Sequence, residues 1–103
     1  MINDLAFADL NLDILQRAAL CKDKRVIIKR TSFRLLTLLV HHGDAIVSRK
    51  RIFQDVWGVH FDPGTKRLEV QLNYLRQVLR GLDSSTRIVT HRGLGLRLCT
   101  TAE

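Results

Sequence analysis

TKRLEVQLNYLRQVLRG, residues 65–81, is the stretch on which the fold turns. Leu68, Leu72, Leu75 and Leu79 recur at intervals of four, three and four, the spacing that puts apolar side chains on one stripe of an α-helix. This predicts a helix over about 65–80, with Thr65 as its cap, Gly81 after its end and the leucines facing a core. The far side then presents Lys66, Arg67, Val70, Gln71, Tyr74 and Gln77, with a single acid, Glu69, on the flank. An idle solvent face is more often rich in both Glu and Lys.

Downstream, Asp83-Ser84-Ser85-Thr86 leads into two β-forming runs, Ile88 to His91 and Leu96 to Thr100, around Arg92-Gly93-Leu94-Gly95. That predicts a hairpin over about 87–100 with an arginine at its tip. Upstream, Ser48 stands as an N-cap before a short amphipathic helix, 48–57, with Ile52, Phe53, Val56 and Trp57 on one stripe and Gly58 at its end. Val59 to Gly64 cannot continue that helix, because Pro63 lacks a backbone donor and Gly64 breaks the pattern. Ala45-Ile46-Val47 reads as a brief strand. Phe33, Leu36 and Val40, beside Leu35 and Leu39, mark another helix over about 31–42 that ends at Gly43, with His41 and His42 in its last turn as surface or capping residues. Before it, short apolar runs over about 5–29 read as three or four antiparallel strands: Leu5 to Phe7, Leu10 to Leu15, Ala18 to Cys21 and Val26 to Ile28.

The 103 residues suit one domain, and 46% hydrophobic with 26% charged residues is the make-up of an ordinary globular chain. The longest apolar stretch, Leu35 to Val40, is far short of a membrane span, and no basic, apolar leader opens the sequence, so a cytoplasmic protein without membrane association is expected. Cys21 and Cys99 stand apart, without metal-ligand spacing, and read as free thiols in a reducing compartment. No glycine-rich phosphate loop, nucleophile–base set or paired carboxylates is recognisable, so neither catalytic residues, nor a cofactor, nor a metal is expected, and an enzyme is disfavoured. Seventeen Lys and Arg against ten Asp and Glu give a net charge of +7, yet residues 1–23 carry a net −2 and residues 24–103 a net +9. Such asymmetry fits a scaffold beside a polyanion-binding part, and nucleic acid is the default partner.

A helix of about 15 residues with one core stripe fits the major groove of B-DNA, where Arg pairs with guanine, Gln bidentately with adenine, and an aliphatic side chain meets the thymine methyl. The N-terminus of the preceding helix would hold phosphates, and Arg92 would enter an adjacent narrow minor groove. The competing reading is a protein-interaction module whose basic charge is incidental, although a docking patch is usually poor in charge at its centre.

Thr31-Ser32-Phe33, Val47-Ser48-Arg49, Val56-Trp57-Gly58, Leu75-Arg76 and Thr90-His91-Arg92-Gly93-Leu94-Gly95 follow the order and spacing of the OmpR/PhoB-type winged-helix domain, a resemblance over roughly residues 5–99. The closing RGLGLR pattern is its most specific piece. The resemblance implies an α+β fold: a four-stranded antiparallel N-terminal sheet, a three-helix bundle with a variant helix-turn-helix, and a C-terminal hairpin wing. It implies sequence-specific binding of double-stranded DNA for transcriptional regulation, as the effector half of a two-component response regulator.

By matched position, Lys66, Arg67, Val70, Gln71, Asn73, Tyr74 and Arg76 would be recognition-helix contacts, Arg49 and Trp57 would approach the DNA backbone, and Thr90, His91 and Arg92 would serve the wing. The loop of Val59, His60, Phe61, Asp62, Pro63 and Gly64 would face RNA polymerase, and pairs of domains would sit head-to-tail on direct repeats. A receiver domain with a phosphoacceptor Asp lies outside these residues, leaving an excised effector domain or a stand-alone regulator. A related branch carries this domain on membrane-tethered activators, but the wing is more similar to the response-regulator form. Many members have two bases where this chain has Asn73-Tyr74, so their base preference does not carry over, whereas Ser32 in place of a frequent acid and Leu96 in place of the usual aromatic are packing or capping changes that leave the fold intact. For Arg76, an ion pair with Glu69 or Asp55 is the structural alternative.

Overall fold

The computed structural model describes residues 4–64 and 66–101. Its first four strands, β1 (Asp4–Phe7), β2 (Leu10–Asp13), β3 (Ala18–Cys21) and β4 (Lys24–Ile27), pair in sequence order as an antiparallel meander. The predicted strand to Leu15 stops early: the Asp13 carboxylate accepts the Gln16 N–H at 3.2 Å, so residues 14–17 turn and Leu15 is left 80% exposed. Ile28 likewise leaves the strand, its N–H donating to the Arg17 carbonyl at 2.8 Å while its side chain is buried.

The helix α1 (Arg30–His41) buries Phe33, Leu35, Leu36, Leu39 and Val40, the predicted stripe. After Gly43 the expected strand over residues 45–47 begins two residues later, as β5 (Val47–Ser48), because the Ala45 N–H closes a turn on the His42 carbonyl. Ser48 also caps α2 (Arg49–Ile52), its hydroxyl accepting the Arg51 N–H at 3.1 Å. The second helix is not α-helical throughout: Phe53–Trp57 is wound as a π-helix, the wider turn that interrupts an α-helix. Gly58, at φ +72°, closes it in the left-handed conformation.

The third helix, α3 (Arg67–Gly81), seats Leu68, Leu72, Leu75 and Leu79 in the core. Thr65, the expected cap, lies outside the described residues, and no side chain caps the helix from Lys66. Gly81 is within the helix rather than after it, because Leu82, 3% exposed, continues the buried surface, and Asp83 reverses the chain at φ +57°. The final strands, β6 (Thr86–His91) and β7 (Gly95–Thr100), form a hairpin that begins one residue before the expected boundary, and β5 adds to it in the order β5-β7-β6. One cluster gathers the buried side chains of both sheets and all three helices.

Two of the joints that fix the hairpin to the rest are a strand crossing and a carboxylate bridge. At the first, Gly95 lies opposite Ser48 so closely that a Cβ there would stand 2.0 Å from the Val47 carbonyl oxygen. At the second, Asp9, on the β1–β2 turn, accepts hydrogen bonds from the Ser84 hydroxyl at 2.7 Å and the Ser85 N–H at 3.0 Å. Burial raises the Asp9 pKa, but the bonds from Ser84 and Ser85 outweigh it and hold the carboxyl below its ordinary value.

Candidate nucleic-acid interface

With its leucine stripe fixed inward, α3 turns Lys66, Val70, Asn73 and Gln77 outward as one exposed row at helical spacing, and Val70 is 60% exposed. Gln77 belongs to this row as fully as Asn73, although the matched positions leave it out. Helical spacing alone already puts it on the far side from the leucine stripe.

The flanks of α3 differ from this row, because their side chains are tied down. Gln71 is half-buried, and its Oε1 accepts a hydrogen bond from the buried hydroxyl of Ser32 on α1. Tyr74 is half-buried rather than clear of the core, with the Lys29 ammonium 5.2 Å from its ring centre. Arg67 is exposed, its guanidinium 5.8 Å from the Trp57 ring centre. On the other flank, Arg76 pairs with neither Glu69 nor Asp55. Its Nη2 donates to the Ile88 carbonyl at 2.8 Å and to the Thr90 hydroxyl at 3.3 Å, so it clamps α3 to β6.

Arg49 is placed where its charge is answered within the protein. It pairs with Asp62 at 2.8 Å and Glu69 at 3.4 Å, and the hydrogen bond to Asp62 raises its pKa while that of Asp62 is lowered. Trp57 is first a packing residue, half-buried with its ring 5.2 Å from that of Phe53. Asp55 is held by Arg51 at 2.7 Å, a surface pair within the helix.

At the wing, Arg92 lies in the exposed turn and has no partner among the described residues. Gly93 adopts φ +77° beside it. His91 is half-buried and its Nε2 accepts from Arg97 Nε at 2.7 Å, which stiffens the hairpin next to its turn. Thr90 is exposed, with its hydroxyl bonded to Arg76. In the loop after the second helix, Val59 packs against the core, Asp62 accepts the Gly64 N–H at 2.9 Å, and Phe61 stands 64% exposed with His60 beside it.

A three-helix core whose last helix turns a polar row outward, braced by a hairpin that ends in a free arginine, defines a winged helix-turn-helix domain. The chain belongs to the family described as "Transcriptional regulatory protein, C terminal", which matches residues 23–98 and comprises effector domains of the OmpR/PhoB type. Response regulator MprA of Mycolicibacterium vanbaalenii is 34% identical over 97 residues, covering 94% of this chain and 42% of that protein. The chain thus spans about two fifths of the length of the curated relatives it matches.

Among solved structures, the DNA-binding domain of CpxR from E. coli superposes with a TM-score of 0.82 at 25% identity, covering 98% of this chain and all of that one. The RstA DNA-binding domain of Klebsiella pneumoniae, in complex with the RstA box, gives a TM-score of 0.78 at 22% identity, covering 95% of this chain and 98% of that one. At that identity the second likeness establishes the fold alone. Among the described residues, no helix is long and apolar enough to cross a membrane.

Proposed function

We propose that this chain is a single effector domain that binds double-stranded DNA sequence-specifically to regulate transcription, with α3 in the major groove and the wing in the adjacent minor groove. The observation that carries the reading is the outward row Lys66, Val70, Asn73 and Gln77, exposed between two anchored flanks on a helix that Arg76 clamps to the wing strand leading to the exposed Arg92. Lys66 meets phosphate, Val70 a thymine methyl, and the Asn73 and Gln77 carboxamides meet base edges. Arg92 supplies the minor-groove charge, and Thr90 and His91 support it. Arg67 and Tyr74 border the row. Arg76 acts by holding helix and wing in register, and Arg49 reaches phosphate by exchanging its carboxylate partners for it.

The partners proposed beyond DNA are RNA polymerase, at Val59–Gly64 where Phe61 is the exposed apolar group, and a second copy arranged head-to-tail on direct repeats. The setting is the cytoplasm, a reducing compartment that suits the free thiols of Cys21 and Cys99. The test is repeated selection from a random duplex library, followed by titration of the enriched and scrambled duplexes. Scrambling the enriched core is expected to weaken binding by about a hundredfold or more. Equal affinity for both duplexes would leave only charge-driven association, and the reading would fail.

A further inference from the structure

The bond between Ser32 and Gln71 gives Gln71 a role different from base reading. A carboxamide has one acceptor end and one donor end, and the bidentate pair with adenine uses both together. Here Oε1 faces the hydroxyl of Ser32, a side chain with no exposure, and the amino group is the end left to point away from α1. The position on the helix agrees. At 100° per residue, Gln71 sits only about 70° from the centre of the leucine stripe, whereas Val70 sits about 170° from it. Gln71 therefore lies at the side of α3 rather than on its outward row. Arg67 and Tyr74 share that side, and the Lys29 ammonium is 5.2 Å from the Tyr74 ring centre. A donor among cations at the edge of a groove-bound helix faces the acceptor oxygens of the DNA backbone.

We infer that Ser32 is a positioning residue: from the first turn of α1 it holds the Gln71 carboxamide with its donor end outward, so that Gln71 grips a backbone phosphate and does not read a base. This role rests on the DNA-binding reading above. Ser32 itself touches no DNA and acts through Gln71 alone.

A double-mutant cycle on DNA affinity tests it, using the enriched duplex and one of arbitrary sequence, with wild type, Ser32→Ala, Gln71→Ala and the double variant. Each single change is expected to weaken binding to both duplexes by the same factor, about threefold to tenfold. The double variant should be no weaker than Gln71→Ala, because the two residues make one contact. Repeating the library selection with either variant should return the wild-type motif. Loss of a preference at one base pair would make Gln71 a base reader and overturn the inference. So would independent, multiplying losses, or a Ser32→Ala domain that binds as wild type. If the wild type binds neither duplex, the DNA-binding reading fails and this role falls with it. If it binds and only the cycle fails, that reading stands without it.

Discussion

The two sheets hold together by different means. In the four-stranded sheet every strand pairs with its neighbour in sequence, across turns of two to four residues. The three-stranded sheet instead joins Val47–Ser48 to Gly95–Leu96, nearly half the chain away, and depends on a glycine at the crossing. Local pairing makes the first sheet a scaffold. Non-local pairing makes the second a brace that sets the wing at a fixed position beside α3, helped by the Arg76 clamp on β6.

The sharpest way to break this comparison is Gly95→Ala. The added methyl cannot coexist with the Val47 carbonyl at 2.0 Å, so β5 must part from β7. Urea unfolding should show a loss of about 3 kcal/mol. A loss below about 1 kcal/mol would mean that the crossing is not what holds the brace.

Next in size is Asp9→Asn, which weakens the joint between the sheets and should cost about 1–3 kcal/mol near neutral pH. Because the folded Asp9 carboxyl is held below its ordinary value, its stabilisation is complete above the ordinary carboxylate range, about 4, and is lost as pH falls through the lower folded value. Denaturation from pH 7 down to pH 2 should therefore bring variant and wild type together at the acid end. Curves that stay parallel would remove the charge of Asp9 from the joint.

Ser48→Ala deletes the α2 cap while leaving the β5 backbone pairing in place, and should cost about 1 kcal/mol in the same assay. A loss like that of Gly95→Ala would mean that strand and cap are one unit. The smallest effect on stability, within about 0.5 kcal/mol, belongs to Arg92→Ala at the exposed wing turn. Its effect is on binding. The slope of log affinity against log salt should fall by about one, whereas Lys22→Ala, on a turn of the other sheet, should leave it unchanged. Equal slopes for both variants would make the basic charge diffuse.

Sequence periodicity revealed what is local. The leucine stripe of α3, the apolar stripe of α1, the Ser48 cap and the order of the strands follow from neighbours three, four or two residues apart. What escaped it joins distant residues. Gln71 reads as a free carboxamide until Ser32, 39 positions earlier, is seen to hold it. Arg76 reads as a recognition-helix contact with an ion pair as the alternative, yet its partners are a carbonyl and a hydroxyl on β6. Arg49 reads as a phosphate ligand, but Asp62 and Glu69 converge on it from beyond its own helix. The π-helical winding at Phe53–Trp57 preserves the apolar stripe, which is why hydrophobic spacing alone does not distinguish it from an α-helix.

The most direct test of the central claim is an amide-shift NMR titration of the domain with an arbitrary duplex at low salt. Shifts should concentrate at Lys66–Gln77, Thr90–Gly95 and Ser48–Arg51, and the strands β1 to β4 should stay silent. Shifts absent, or spread evenly over every basic surface including the four-stranded sheet, would contradict recognition through helix and wing.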